Sequence, residues 1–318
     1  MKPPYQITST ILKSITSVSE KLGSLNARYL DKPAPQLRKQ NRIKTIHSSL
    51  QIEGNTLTEQ QVTALLENKR VVGPQKDITE VLNAVKVYEQ LSKFKPLSKK
   101  SFLSAHKILM NGLISDAGKY RRKGVGIVKG ENVTHIAPPY ANVPFLMTDL
   151  FNYLKSDEIA LIKSCVFHYE MEFIHPFMDG NGRMGRLWQT VILLSEYPFF
   201  EYLPFETLIS RGQDDYYTAL SRSDKEGSST TFIEYMLGIV DQSLTDALNH
   251  KLQLLKDTDR LVYFISKVKS VFTRKDYMEV FKDISTATAS RDLKKGVEMD
   301  LFEKEGDKIK AVYKLKNN

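Results

Sequence analysis

The spacing of apolar residues constrains this chain most, because it repeats with a helical period along most of the length. Residues three or four positions apart share one face of an α-helix, so this spacing predicts amphipathic helices. The segments that follow it are 7–30, 41–53, 58–69, 77–93, 100–112, 143–155, 158–173, 182–195, 213–222 and 229–255. With 41% hydrophobic and 26% charged residues in 318, the composition is that of an ordinary globular protein. The sequence therefore predicts a mainly α fold.

The stretch from 118 to 140 is the exception to this helical pattern. Gly-Val-Gly-Ile-Val and Val-Thr-His-Ile-Ala flank the short segment Lys-Gly-Glu-Asn, and Pro138 and Pro139 end the stretch. Short runs rich in β-branched residues around a glycine-containing loop are typical of a β-hairpin. We therefore predict a small exposed hairpin over residues 124–137.

The region after residue 256 has another order of elements. The pattern predicts helices at 259–270, 273–282 and 286–297, then extended pieces at 301–304 and 308–315. Three helices followed by a two-stranded wing are typical of a winged helix-turn-helix. The predicted organisation is an N-terminal helical region, a core and a winged-helix-like domain, at 1–95, 96–250 and 257–318.

Several function classes are disfavoured by composition. The chain has no apolar run of about 18 residues, which a membrane-spanning helix would need, and its N-terminus lacks the apolar core of a signal peptide. Cys165 is the single cysteine, which excludes an internal disulfide and fits a reducing compartment. One cysteine and six scattered histidines offer no zinc-ligand spacing. A cytoplasmic protein without a membrane partner is expected.

Residues 175–186 concentrate chemically useful side chains: His-Pro-Phe-Met-Asp-Gly-Asn-Gly-Arg-Met-Gly-Arg. Histidine can take a proton near neutral pH, so His175 can act as a base, and Asp179 offers the oxygen ligand that Mg²⁺ prefers. The glycines let the backbone approach a ligand with its N–H groups. Arg183 and Arg186, three residues apart, share a helix face and can both bind phosphate oxygens. The stretch predicts an anion-binding helix N-terminus with a base beside it.

This stretch resembles the His-Pro-Phe-x-(Asp/Glu)-Gly-Asn-Gly-Arg-x-x-Arg signature of the Fic family, with all nine specified positions filled. The resemblance extends over about residues 100 to 240, including the hairpin and the Tyr216-Tyr217 pair. It implies a protein adenylyltransferase that moves AMP from ATP to a Ser, Thr or Tyr hydroxyl of a target protein or of itself. Pyrophosphate would be released, with Mg²⁺ as cofactor.

The resemblance also implies roles for individual residues. His175 would be the general base, Asp179 would hold Mg²⁺, and Phe177 would anchor the loop to the core. The nucleotide-binding residues would be Gly180, Asn181, Gly182, Arg183 and Arg186. Tyr216 and Tyr217 offer a ring for the adenine or ribose, with Tyr217 as the candidate, and packing in the core is the alternative for either tyrosine. Adjacent helix residues point about 100° apart, so at most one of Tyr216 and Tyr217 faces the nucleotide. The target protein would dock on the 124–137 hairpin by adding a strand to its edge.

A second motif lies N-terminal to the core. Residues 49–54, Ser-Leu-Gln-Ile-Glu-Gly, match the (Ser/Thr)-x-x-x-Glu-(Gly/Asn) inhibitory motif of this family at Ser49, Glu53 and Gly54. The resemblance implies that Glu53 pairs bidentately with Arg186 and denies it to the γ-phosphate of ATP. An alternative role for Glu53 is to support AMP removal by positioning a hydrolytic water. The sequence does not separate these roles.

The tail raises a rival interpretation, a DNA-associated regulator. Arg291, Lys294 and Lys295 would lie on the recognition helix, and Lys308 and Lys310 on the wing, where they could bind DNA phosphates. Acidic residues interrupt the same surface, so protein docking or a structural role is favoured over DNA binding. Transfer of a group other than AMP, and a homodimer, stay open.

Overall fold

The structure is a computed structural model that describes residues 3–28, 35–129, 132–254, 257–265, 268, 270–282, 284–306 and 311–316. Its helices are α1 (Ser9–Arg28), α2 (Pro35–Ile52), α3 (Glu59–Leu66), α4 (Gln75–Tyr88), α5 (Lys99–Leu109), α6 (Val143–Tyr153), α7 (Ala160–Ile174), α8 (Asn181–Leu194), α9 (Glu206–Arg211), α10 (Gln213–Glu226), α11 (Thr230–Leu254), α12 (Asp257–Ile265), α13 (Arg274–Val280) and α14 (Thr286–Glu298). The mainly α prediction is confirmed. No helix in these ranges is long and apolar enough to cross a membrane.

Most predicted helices are present with shifted ends. Helix α2 begins at Pro35, six residues before the predicted start at 41. The prediction missed this start because the first turns of the helix are polar and show no apolar spacing. Helix α9 was not predicted, since six residues are too few to reveal a helical period. Residues 1–244 and 245–318 form two compact units. The predicted division at 95 and 96 falls within the first unit and stays a prediction.

The predicted hairpin is present in the first unit. Strands β1 (Gly126–Lys129) and β2 (Asn132–Ile136) pair antiparallel, with Gly126 opposite Ile136. The register shifts between Ile127 and Val128, and such irregularities bend and twist a ribbon. The hairpin is thus a short, twisted ribbon of two strands, and each strand has one backbone edge that is not paired within this sheet.

An aromatic cluster around Phe102 of α5 holds the centre of the first unit together. The Phe102 ring centroid lies 5.6 Å from that of Phe151, 5.9 Å from Phe167, 5.4 Å from Phe177 and 5.1 Å from Trp188. These rings come from α6, α7, α8 and the α7–α8 loop. Because Phe177 belongs to the 175–186 motif and is fully buried, the cluster anchors the motif loop to the core.

The second unit combines α12, α13 and α14 with a small antiparallel sheet. Strands β3 (Val271–Thr273), β4 (Phe302–Glu305) and β5 (Val312–Leu315) are ordered β3-β5-β4. The two predicted extended pieces are present as β4 and β5, which pair antiparallel, and β3 adds a third strand that was not predicted. The helix predicted up to residue 270 ends at Ile265, and β-branched residues beyond it extend to pair with β5. The winged-helix interpretation itself stays a prediction.

Side chains expected at a DNA surface have partners within this unit. Lys295 Nζ lies 2.8 Å from Asp257, Lys294 Nζ lies 3.8 Å from Glu298, and Arg291 donates to the hydroxyl of Thr288. Lys308 and Lys310 lie outside the described residues. Carboxylates beside the two lysines weaken the positive potential that DNA binding would use.

We expect Phe102→Ala to lower the free energy of unfolding by about 3–5 kcal/mol, the usual cost of emptying a buried phenylalanine site. Phe145 is the matched control because it is 75% exposed, and Phe145→Ala should change the same quantity by less than about 0.5 kcal/mol. Urea titrations followed by far-UV circular dichroism measure both. Equal losses in the two variants would contradict the central role of the Phe102 cluster.

Candidate functional site

The motif loop between α7 and α8 turns through two left-handed residues. His175 follows α7 directly with φ 50°, and Gly180 precedes α8 with φ 86°. A side chain at Gly180 would be strained by this backbone, and its Cβ would lie 2.7 Å from the sulfur of Met110. Left-handed φ is uncommon for residues other than glycine, so surrounding contacts must hold His175 in place.

Asn181 closes the loop with its side chain. Its Oδ1 accepts the backbone N–H of Phe177 at 2.9 Å, and its Nδ2 donates to the Phe177 carbonyl at 3.0 Å. The amide is buried, with 2% exposure, and both of its polar atoms serve the backbone. The side chain therefore shapes the loop, and a nucleotide contact from Asn181 stays a prediction.

His106 of α5 contacts the motif loop, and the sequence analysis did not identify it. The N–H of Gly118 donates to His106 Nδ1 at 2.8 Å, so the proton sits on Nε2 and is donated to the Asp179 carbonyl at 3.0 Å. The ring stacks on Phe177 with centroids 3.6 Å apart. Burial lowers the pKa of His106 to about 4, which keeps the ring neutral. A histidine on the apolar face of a helix was the available signal.

A backbone carbonyl sets the tautomer of the His175 imidazole. Its Nδ1 lies 3.3 Å from the backbone carbonyl of Glu172, an acceptor, so Nδ1 carries the proton. The lone pair is therefore on Nε2. The carbonyl of His175 accepts a hydrogen bond from Arg121 Nε at 2.7 Å. The Glu172 carbonyl thus orients the imidazole, and Arg121 holds the backbone that carries it.

The N-terminus of α8 is occupied by a carboxylate. A Cβ built on Gly182 would overlap Oε1 of Glu53 and lie 3.2 Å from Nη1 of Arg186. A side chain at this position would force the Glu53 carboxylate to move, so Gly182 leaves room for the carboxylate against the helix end. Free N–H groups and the helix dipole favour negative charge at this end of a helix. Glu53 therefore lies where an anionic ligand would be stabilised.

Arg186 is fully buried and joins α8 to α2. Its Nε donates to the Ser49 hydroxyl at 3.1 Å, and its Nη2 donates to the Ser49 carbonyl at 2.9 Å and to Glu53 Oε1 at 2.7 Å. Nη1 is buried and has no hydrogen-bond partner. The expected Glu53–Arg186 contact is present, but the bidentate geometry was wrong because Nη2 alone reaches Glu53 and shares its hydrogen bonds with Ser49.

Gly54 ends helix α2. Gly54 has φ +88°, its N–H donates to the Gln51 carbonyl at 3.0 Å, and the N–H of Asn55 donates to the Leu50 carbonyl at 3.1 Å. This pair of bonds is the Schellman motif, which needs a left-handed residue just after the helix. Gly54 thereby stops α2, so that Glu53 directly follows its last residue.

Glu80 of α4 is a further buried acid at the site that the sequence analysis missed. Arg183 donates from Nη1 to Glu80 Oε1 at 3.0 Å and from Nη2 to Asp179 Oδ1 at 2.7 Å. The other oxygen of Glu80 accepts Nδ2 of Asn55 at 2.8 Å. Arg183 Nε is buried without a partner. The signal that could have revealed Glu80 is a charged residue next to Val81 on the buried face of α4.

Asp179 is the carboxylate best placed to hold a metal ion. Its side chain is 45% exposed and pairs with Arg183. Among the described residues, no group of three or more His, Cys, Asp or Glu side chains could bind a metal without other ligands. Mg²⁺ in nucleotide sites takes one or two carboxylates and completes its shell with phosphate oxygens and water. A single accessible carboxylate fits that arrangement.

The two adjacent tyrosines of α10 differ in environment. Tyr216 is buried with its hydroxyl 3.0 Å from Nε2 of His168, whereas Tyr217 is 38% exposed. Burial raises the pKa of both hydroxyls. Gln213 donates to the Ile52 carbonyl at 2.9 Å and, at 3.5 Å, to Tyr217. Tyr217 is therefore the more accessible ring, and it shares Gln213 with the C-terminal end of α2.

Comparisons with known proteins identify the family of this chain. Residues 96–193 match the family model described as Fic/DOC family. A Fic family protein from Desulfovibrio desulfuricans, known from a crystal structure, is 39% identical, with a TM-score of 0.75. The match covers 100% of this chain and 99% of that one. The chain therefore belongs to the Fic family.

More distant similarities are found to a curated protein and to a solved structure. The chain is 27% identical over 254 residues to the protein adenylyltransferase Fic of Nematostella vectensis. The match covers 75% of this chain but only 56% of that protein's length. A Fic domain containing signaling protein from Bacteroides thetaiotaomicron is 21% identical, with a TM-score of 0.59 over 74% of this chain and 95% of that one. That likeness concerns the fold alone.

We expect acid to destabilise the protein through His106. Its folded pKa of about 4 lies below the ordinary value of 6.5, so between these values the unfolded chain binds the proton. Stability then rises with pH and is lost as pH falls from about 6.5 towards 4. The slope is at most about 1.4 kcal/mol per pH unit for one group. In urea unfolding, His106→Gln should show a shallower slope, and an unchanged slope would contradict burial of a neutral ring.

Proposed function

We propose that this protein transfers AMP from ATP to a Ser, Thr or Tyr hydroxyl of a target protein or of itself, and that Glu53 inhibits the transfer. The observation that carries the proposal is the meeting of three features at one helix end. These are an oriented base on His175, the N-terminus of α8, and two buried arginines that each keep an unpaired donor nitrogen. The name of the relative from Nematostella vectensis, protein adenylyltransferase Fic, supports the same reaction.

The unpaired nitrogens suit a polyphosphate. Arg186 Nη1 and Arg183 Nε are buried without a hydrogen-bond acceptor. A buried donor left without a partner costs about 1–3 kcal/mol, and more when it is charged. Phosphate oxygens at the N-terminus of α8 would satisfy both guanidinium groups and the free N–H groups of the helix. The arrangement therefore favours a ligand that carries several anionic oxygens.

The chemistry then needs one base and one leaving group. The hydroxyl oxygen of the target attacks the α-phosphorus while His175 Nε2 takes its proton. The bond from the α-phosphorus to the oxygen bridging to the β-phosphate breaks, and pyrophosphate leaves with that electron pair. Arg183 and Arg186 stabilise charge on the outer phosphates. Asp179 would hold Mg²⁺, which when bound neutralises phosphate charge.

Inhibition follows from the position of Glu53. Its carboxylate occupies the α8 N-terminus against Gly182 and takes Nη2 of Arg186. A phosphate cannot use the same donor, and like charges at this distance repel. Glu80 holds Arg183 in a similar way from α4. ATP would therefore bind with its outer phosphates displaced until the carboxylate of Glu53 is removed or moves.

We expect Glu53→Gly and Glu53→Gln to raise AMP transfer about 10- to 100-fold. Hydrogen bonds to a charged group contribute about 1.5–3 kcal/mol, which corresponds to that range. Incubation with α-³²P-ATP and Mg²⁺, followed by gel electrophoresis, measures labelled protein. Adding His175→Ala to either variant should abolish the label, because the base is lost.

Glu59→Gln provides the matched control, since Glu59 is an exposed glutamate at the start of α3. Its transfer rate should equal that of the wild type. An unchanged rate in folded Glu53→Gly, with ATP binding shown by calorimetry, would count against inhibition by Glu53. Label that survives His175→Ala would count against the assigned base.

Removal of AMP is a second candidate activity of the same residue. The Glu53 side chain is 27% exposed, and its single hydrogen bond to Arg186 uses Oε1. Oε2 could therefore orient a water molecule towards an AMP–protein bond. The expected result is that wild type releases AMP from a labelled target faster than Glu53→Gln does. Equal release rates would exclude this role.

The partners follow from the same proposal. A target segment would pair with the backbone edge of the 124–137 hairpin, which is an antiparallel pair of strands. A homodimer, DNA binding by the tail and a cytoplasmic location stay predictions.

A further inference from the structure

Arg121 lies buried beside the motif loop and is not one of the residues that take part in the proposed reaction. It is 2% exposed, and none of the ion pairs among the described residues involves it. Its guanidinium instead donates to backbone carbonyls: to His175 at 2.7 Å, Ile174 at 3.3 Å, Lys123 at 2.9 Å and Pro138 at 2.5 Å. Burying a charge without a carboxylate is costly, so each of these bonds matters to its placement.

The four carbonyls belong to two different parts of the chain. Ile174 and His175 form the junction between α7 and the motif loop. Lys123 and Pro138 stand immediately before and after the 124–137 hairpin. The backbone N–H of Arg121 adds a bond to the Pro176 carbonyl at 2.8 Å. One side chain thus ties both ends of the hairpin to the residue that carries the base.

The backbone conformation of His175 depends on the hydrogen bond from Arg121. With φ 50°, His175 adopts a left-handed conformation that costs energy for a residue with a side chain. Such a conformation persists where several contacts determine it. Arg121 Nε supplies the contact at the His175 carbonyl, and the Glu172 carbonyl supplies the contact at the imidazole.

We propose that Arg121 is a positioning residue that sets the register between the hairpin and His175, so that a hydroxyl on a hairpin-bound segment reaches His175 Nε2. The inference rests on the proposed function. A planar guanidinium has five donors in a rigid fork and can bind several carbonyls at once, whereas a lysine ammonium cannot reproduce this geometry. Arg121→Lys should therefore lower AMP transfer, although this variant retains the positive charge.

The experiment uses the full chain in the Glu53→Gly background, with Arg121→Lys and Arg121→Ala compared against Arg122→Ala. Arg122 is the neighbouring, exposed arginine. Three quantities are measured: kcat for label transfer, ATP affinity by calorimetry, and hydrogen exchange of hairpin amides by mass spectrometry. Misplacing a reacting group by about 1 Å can cost about 100-fold in rate.

We expect both Arg121 variants to lower kcat at least about 10-fold, with ATP affinity changed less than about twofold and faster exchange in the hairpin. Guanidinium ion added to the buffer should partly restore kcat in Arg121→Ala. It should have no such effect in Arg122→Ala. Rescue of this kind distinguishes positioning from general support of the fold.

Several results would overturn the inference. Unchanged kcat and hairpin exchange in Arg121→Ala would remove the proposed coupling. Parallel losses of ATP affinity and thermal stability, without guanidinium rescue, would assign Arg121 a purely structural role. If Glu53→Gly itself transfers no label, the proposed function fails, and hairpin exchange decides the coupling alone. Faster exchange in Arg121→Lys then supports it, and unchanged exchange overturns it.

Discussion

The buried guanidinium of Arg186 is the interaction on which the arrangement of the site depends. A cation with no solvent exposure needs acceptors from the protein, and it takes them from Ser49 and Glu53 at the end of α2. This requirement draws α2 against α8 and brings a carboxylate to the helix end that favours anions. The same contact leaves Nη1 unpaired, so the site is satisfied only in part by its own residues.

The shape of the motif loop comes from side chains that act on the backbone. Asn181 binds both polar groups of Phe177, His106 holds the Asp179 carbonyl, and Arg121 holds the carbonyl of His175. Each contact constrains where a neighbouring functional group points. The chemically reactive groups therefore belong to the loop, while their directions depend on α5 and on the segment that precedes the hairpin.

Strong local patterns predicted most of the fold. Long helices, the hairpin and the clustered motif residues follow from spacing within short stretches of chain. Predictions failed where the local signal was weak: the polar start of α2, the six residues of α9, and the strand Val271–Thr273. Glu80 and His106 are polar residues on apolar helix faces, which is a recognisable local pattern. Their hydrogen-bond partners lie far along the chain and could not be predicted from that pattern.

The sequence by itself determined which groups the site contains, because His175, Asp179, Arg183 and Arg186 follow one another within one loop and helix. Only the tertiary structure decided how these groups are engaged: Arg183 is shared with Glu80, and Arg186 reaches Glu53 through one nitrogen. These contacts join residues more than 100 positions apart. Their geometry depends on how helices pack against each other, which no local spacing encodes.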